Sequence, residues 1–207
     1  MDGLSDGEVG AAVAALDEGL PVVLPTDTVY GLCANPNIEE PVRRAYELKG
    51  RDAKQPSALL ASNVDVLVES LPELRGPIEI VLRALLPGPL TLVVPNPAQR
   101  FPWLTGEVAG TIGVRVPELP APADAVLSGF SLVMATSANH PGDTDPAQLV
   151  DVPDEILEGC GAALDGGRLP GVPSTVIDLT GEEPKVVREG VVAADEVLKR
   201  LAGVVAE

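Results

Sequence analysis

Leu132-Val133-Met134-Ala135-Thr136-Ser137-Ala138-Asn139 opens as an apolar run and closes on hydroxyl and amide side chains. A short apolar segment bounded by polar residues suits a strand covered on both faces. Leu90 to Val94, Thr111 to Val116 and Thr175 to Leu179 share that character. Segments with helical spacing lie among them. Glu8 to Leu16 sets Val9, Ala12, Val13 and Leu16 on one face ahead of Gly19, and Pro41 to Leu48 reads as a helix stopped by Gly50. Asn63 is placed to cap a helix running through Glu69. Pro21 to Leu24 and Ser57 to Leu60 read as short strands, Lys185 to Arg188 as another, and Ala194 to Leu201 as a closing helix. Helix and strand alternate, so the predicted fold is an α/β sandwich around a central sheet, in one domain spanning residues 1–207.

The 207 residues are enough for one such core. Fourteen basic against 31 acidic residues give a net charge of -17. That balance disfavours a nonspecific nucleic-acid binder, which needs a basic stripe to displace phosphate counterions. Tyr30, Tyr46, Phe101, Trp103 and Phe130 are the whole aromatic complement, too sparse for a base-stacking platform. The acidic Met1 to Asp6 stretch lacks the basic and apolar regions of a leader, and no apolar run is long enough to cross a membrane, so a soluble cytoplasmic protein is expected. Cys33 and Cys160 form no CxxC pair and read as packing residues.

Gly and Pro, 21 of each, gather where apolar runs meet polar ones, the usual ground for ligand sites. None of these junctions spells a P-loop, a GxGxxG turn, a GxSxG elbow or an HExxH helix. His140 is the only histidine and reads as a loop residue near a site; it allows neither a histidine metal centre nor a Ser-His triad. What remains suits phosphate. Arg43, Arg44, Lys49, Arg51 and Lys54 crowd five of the 14 basic residues into twelve positions. Arg43 and Arg44 fit a solvated helix end, whereas Lys49 and Arg51 flank Gly50 past the helix and are expected to reach a polyanion. If the strand persists to Asn139, Ser137 and Asn139 face the same way and can hold one ligand; a turn or helix cap explains the same residues.

Pro25-Thr26-Asp27-Thr28-Val29-Tyr30-Gly31-Leu32, Lys49-Gly50-Arg51, Pro87-Gly88-Pro89-Leu90-Thr91, Thr111 to Pro117 and Thr136-Ser137-Ala138-Asn139 occur in that order. Together with Ser174 to Asp178 and Val187 to Gly190 they resemble the threonylcarbamoyl-AMP synthase (YrdC-like) family, over roughly residues 10 to 190. The family's split signature, Lys-x-Arg and then Ser-x-Asn, is present as Lys49, Arg51, Ser137 and Asn139. The chain resembles the short form, which lacks the further C-terminal domain of longer members.

The resemblance implies a twisted mixed sheet with flanking helices and a concave ligand groove. It implies a nucleotidyltransferase that makes threonylcarbamoyl-AMP and pyrophosphate from ATP, L-threonine and bicarbonate, with Mg²⁺ on the triphosphate and no dedicated metal ligands. A separate transferase complex would then modify position 37 of tRNA, this chain itself binding tRNA weakly or not at all. By matching position, Lys49, Arg51, Ser137 and Asn139 would be catalytic. Thr26, Arg115, Ala135 and Ser174 would hold threonine. Lys49, Arg51, Thr111, Ser137, Asn139 and Arg188 would line the ATP side. Arg115 suits a carboxylate physically, since a guanidinium forks onto it with two hydrogen bonds; a structural ion pair is the other explanation of a cation in an apolar strand. Tyr30 fits either core or pocket wall.

Two departures from the family pattern adjoin the Lys49–Arg51 loop: Asp52 replaces a usual proline, and Ser57 a usual apolar residue. A carboxylate there is expected to weaken the field of the two cations. The alternative function is a diverged relative that binds RNA or ribosomes without synthase activity.

Overall fold

The computed structural model describes residues 6–205, so the reading of residues 1–5 lies outside it. Helix α1 (Asp6–Asp17) turns at Gly19, whose φ of 76° suits a residue without Cβ, into strand β1 (Val22–Pro25). Strand β2 (Tyr30–Ala34) and helix α2 (Glu39–Lys49) follow. Strand β3 (Ala58–Ala61) precedes helix α3 (Val64–Ser70), where the Asn63 side chain accepts from the Val66 amide at 2.9 Å, the expected cap. Then come helix α4 (Pro77–Leu85), strands β4 (Leu90–Pro95) and β5 (Thr111–Arg115), helix α5 (Ala121–Phe130) and strand β6 (Leu132–Ser137). Helix α6 (Asp154–Glu158), strands β7 (Ala162–Ala163), β8 (Thr175–Asp178) and β9 (Lys185–Arg188), and helix α7 (Ala194–Val205) complete the described chain.

The nine strands form one mixed sheet in the order β7-β1-β2-β6-β3-β5-β4-β8-β9. Pairs β1–β7, β3–β5 and β4–β8 are parallel and the rest antiparallel. Five elements were absent from the sequence reading: β2, β7, α4, α5 and α6. Strand β2 is buried at all five positions, but Tyr-Gly-Leu-Cys-Ala carries no run of Leu, Val or Ile to announce it. Helices α4 and α5 each begin with proline in the first turn, which a reading of proline as loop punctuation conceals.

Alternation along the strands sorts side chains onto two faces. Val23, Tyr30, Leu32, Leu59, Met134, Leu92, Val114 and Ile177 join a large core beneath α2, α3, α4 and α7. Val22, Leu24, Cys33, Leu60, Val133 and Ala135 face the other way, onto Ala12, Leu16, Val126 and Leu127 of α1 and α5. That second helical layer is narrow. Positions facing away from the large core on β4, β5 and β8 are Thr91 and Val93, then Thr111, Gly113 and Arg115, then Val176 and Asp178, and all of them line an open groove instead. The functional site is the half of this face that no helix covers.

Candidate active site

The groove encloses about 520 Å³, within the roughly 300–1,000 Å³ usual for small-molecule sites. Strand β6 supplies Ala135, Thr136 and Ser137, and the β1–β2 turn supplies Thr26 and Thr28. Pro173 and Ser174 enter from the segment before β8, and Arg188 from β9. Seven sequence-assigned residues therefore meet here: Thr26, Arg51, Thr111, Arg115, Ala135, Ser137 and Ser174, with Arg188 as an eighth. Lys49 and Asn139 do not line it.

Gly50 divides the two cations of the signature. Its left-handed φ of 67° ends α2, and the Arg51 amide returns to the Tyr46 carbonyl at 2.8 Å, so the chain reverses within one residue. Lys49 stays beneath the sheet while Arg51 turns into the groove. The Lys49 ammonium is only 3% exposed and donates to the Ser137 carbonyl at 2.6 Å, the Asn139 carbonyl at 2.6 Å and Asn139 Oδ1 at 2.7 Å. An ammonium has three protons, and these three oxygens take them all. Lys49 thus clamps the end of β6 rather than projecting from a loop. Burial, with the Arg51 charge second, pushes its pKa down to about 8.

Asn139 is buried as well, beyond the end of β6 in a bend. It meets Ser137 because that bend folds it back, the Ser137 hydroxyl donating to Asn139 Oδ1 at 2.7 Å, and not because strand geometry continues. Its own amide donates to the Asp143 carbonyl at 2.8 Å. Signature residues separated by 88 and 90 positions therefore do form one hydrogen-bonded unit, with Ser137 as the member on the groove.

Three guanidiniums face the cavity. Arg51 donates to the Pro56 carbonyl at 2.6 Å and to Thr136 Oγ1 at 3.3 Å, while its buried Nε has no partner. Arg115 donates through Nη2 to Asp27 Oδ1 at 2.6 Å and, more weakly, to Thr28 Oγ1 at 3.4 Å. Its Nε is likewise buried and unpartnered. Burial lowers the pKa of both arginines and raises that of Asp27 against the pull of Arg115. The structural ion pair and the unfilled fork coexist on Arg115. Arg188 binds the Ser174 carbonyl at 2.8 Å, and Ser174 Oγ pairs with Thr91 Oγ1 at 2.8 Å, which fixes that wall. A buried donor without an acceptor costs about 1–3 kcal/mol, and since both donors belong to residues that line the cavity, an anionic ligand drawn against these guanidiniums would relieve that cost.

Other residues find plainer places. Thr26 Oγ1 donates to the Val29 carbonyl at 2.6 Å and accepts from two turn amides, so it shapes the β1–β2 turn. Tyr30 is core: its hydroxyl shares its one proton between Asp165 Oδ1 and the Gly167 carbonyl and accepts from the Gly166 amide, pinning the segment that leads to Ser174. His140 Nδ1 lies 3.2 Å from the Lys49 carbonyl. Cys33 is buried, both cysteines are free, and burial pushes each thiol to about 12, as packing residues require. Arg43 pairs with Glu40 and Glu47 in solvent. Asp52 does not face the groove; it caps the Lys54 amide at 2.9 Å on the exposed surface, where solvent screens it. Ser57 is a groove residue whose hydroxyl pairs with that of Tyr46 at 2.6 Å. Sequence reasoning missed Asp27, Thr28 and Thr91, although all three stand inside quoted motifs.

The Sua5/YciO/YrdC family model, described as "Telomere recombination", matches residues 14–190. The threonylcarbamoyl-AMP synthase of Pyrococcus abyssi is 34% identical over 200 residues, covering 95% of this chain and 58% of its own length. Among solved structures, P. abyssi Sua5 complexed with L-threonine superposes with a TM-score of 0.83 at 31% identity, covering 97% of this chain and 59% of that one. Escherichia coli YciO does so with a TM-score of 0.83 at 25% identity over 95% of both chains. This chain thus spans somewhat over half of the archaeal protein and nearly the whole of the bacterial one. A family match over most of the length, joined to a signature whose Arg51 and Ser137 line the groove while Lys49 and Asn139 brace it from behind, means that the chain belongs to the Sua5/YciO/YrdC family.

Proposed function

We propose that the chain is an L-threonylcarbamoyladenylate synthase, a nucleotidyltransferase that joins threonine, bicarbonate and the adenylyl part of ATP and releases pyrophosphate. The observation that carries this reading is the pair of buried, unpartnered Nε donors on Arg51 and Arg115 along one groove. They suit two anions held side by side. The P. abyssi relative's name and the L-threonine in its Sua5 structure support the same substrate and product.

Arg115, fixed on one side by Asp27, offers its remaining edge to the threonine carboxylate. Thr26, Ala135 and Ser174 shape the wall around it. The threonine ammonium first gives up a proton to solvent, and the free amine then adds to bicarbonate carbon with loss of water, leaving a carbamate. A carbamate oxygen then attacks the α-phosphorus of ATP, and the bond from that phosphorus to the bridging oxygen breaks to release pyrophosphate. Both partners are anionic, so the residues must position them and neutralise charge; no tuned histidine base is called for. Arg51 and Arg188 take phosphate oxygens, Ser137 and Thr111 supply hydroxyls, and Lys49 with Asn139 holds Ser137 in place.

Mg²⁺ would travel with the triphosphate and offset its charge. It asks the protein for only one or two carboxylates, and Asp145 and Asp178 on the groove lining fit that demand. Among the described residues, no group of three or more His, Cys, Asp or Glu is arranged as a metal site of its own. A cytoplasmic setting and delivery of the adenylate to a tRNA-modifying transferase complete the proposal. Pyrophosphate release should require ATP, threonine and bicarbonate together; release that persists without threonine rejects it.

A further inference from the structure

A second cavity, of about 270 Å³, opens away from the groove and is lined by Asn37, Ser70, Arg100, Phe101 and Trp103. Its walls are held in place at a cost. Gln99 and Phe101 both have φ of 50°, a conformation unfavourable for residues with a side chain, and such strain concentrates at ligand clamps. Fully buried Asn96 enforces it, donating to the Arg100 carbonyl at 2.8 Å and accepting from the Arg100 amide at 2.9 Å. Trp103 is fixed by its indole bond to the Pro36 carbonyl at 2.7 Å. Glu73 holds Arg100 by Nε at 3.1 Å, and neither terminal nitrogen of that guanidinium has a partner among the described residues.

The polar edges of the cavity are complementary in kind. Asn37 donates to Asn35, leaving its own side-chain oxygen open as an acceptor. Ser70 donates to the Val66 carbonyl and keeps its lone pairs. Arg100 offers only donors. Phe101 and Trp103, both half-buried on the lining, offer room for one flat ligand rather than the run of bases a stacking platform holds, and the polar groups ask for acceptors towards Arg100 and N–H donors towards Asn37 and Ser70. Guanine has that pattern, two acceptors that suit a guanidinium fork and an amino donor besides. The volume falls just below the usual range for small-molecule sites, which favours a base or nucleoside over a triphosphate.

We propose that this cavity is a second ligand site that takes a guanine base, separate from the reaction groove and joined to its wall. The join is through Ser57. Its amide donates to the Leu104 carbonyl at 3.0 Å, and its hydroxyl pairs with Tyr46, which donates to the Trp103 carbonyl at 3.2 Å. A ligand seated on Trp103 therefore bears on the turn that carries both bonds to the groove.

Trp103 is the only tryptophan and lines this cavity, so its fluorescence reports on a ligand seated there, and a parallel titration with ATP and threonine gives the change that groove ligands produce. Titration with guanosine should give a saturable change, at least fivefold weaker with adenosine or uridine. Arg100→Gln should weaken guanosine at least tenfold, and exposed Asn37→Ala, which leaves the Glu73 pair intact, at least threefold. Saturating ATP with threonine should not displace it. No saturable change, equal binding by both variants, or displacement by ATP each overturns the proposal. A single-stranded oligonucleotide with one unpaired guanine, run in parallel, identifies the source: tighter binding than guanosine assigns the site to an RNA base, weaker binding to the free nucleoside. The titration needs no turnover, so it stands or falls apart from the synthase assay.

Discussion

Lys49 and Arg115 are both cations buried beside one groove, yet they are wired in opposite ways. Every proton of Lys49 is committed to oxygens of Ser137 and Asn139. Arg115 commits one nitrogen to Asp27 and leaves Nε bare. A saturated cation is part of the scaffold, because a phosphate could reach it only by displacing existing acceptors. A half-used fork is a receptor. Both residues are less than a tenth exposed, so exposure does not separate the two roles, whereas the count of unspent donors does.

The hardest test of that contrast removes Arg115. Arg115→Met leaves Asp27 buried at 7% side-chain exposure with its partner gone, and loss of one member of such a pair costs about 3–5 kcal/mol. Denaturant unfolding should register it, and adding Asp27→Asn should recover most of the loss. Unfolding unchanged from the parent would mean that the pair is not formed in solution. The milder Arg115→Lys keeps the charge and loses the planar fork. Threonine affinity by calorimetry should then fall by about 1–3 kcal/mol while ATP is little affected. The reverse pattern would move Arg115 to the nucleotide side.

On the scaffold side, Lys49→Met takes the ammonium from the Ser137 and Asn139 carbonyls, while Asn139 Oδ1 keeps the Ser137 hydroxyl, and should cost about 1–3 kcal/mol of stability. ATP affinity should suffer less than in Arg51→Met, because Arg51 lines the groove and Lys49 does not. Equal losses of ATP affinity would return Lys49 to the phosphates. Asn139→Ala should lower adenylate formation about tenfold, about 1.4 kcal/mol. Because Asn139 is buried, the variant's melting temperature should drop too.

The strands were legible because burial on both faces writes itself as uninterrupted Leu, Val and Ile, and Leu132 to Ala135 shows it. The site was legible residue by residue through the family signature. What the sequence withheld was direction. Lys49 and Arg51 look equivalent on either side of Gly50, and only a left-handed glycine sends one beneath the sheet and the other into the cavity. Asp27 was passed over because an acid beside an arginine 88 positions away leaves no local mark. Spacing alone could not say which half of a two-faced sheet stays bare, since that depends on how far α1 and α5 reach across it.

The smallest effect expected is on pH. Burial and the Arg51 charge hold the Lys49 ammonium down to about 8, whereas an unfolded lysine titrates near 10.4. Between those values the native state binds fewer protons than the unfolded one, so this group makes stability rise with pH across that window. Catalysis should move the other way, because the proton lost is one that clamps Ser137 and Asn139. Pyrophosphate release at saturating ATP and threonine should therefore decline above about pH 8 while the unfolding midpoint contributed by Lys49 does not. In Lys49→Met the alkaline decline should disappear, leaving a lower and flatter profile. A parent profile that stays level to pH 10, or a variant that keeps the decline, would show that the ammonium does not set the position of Ser137.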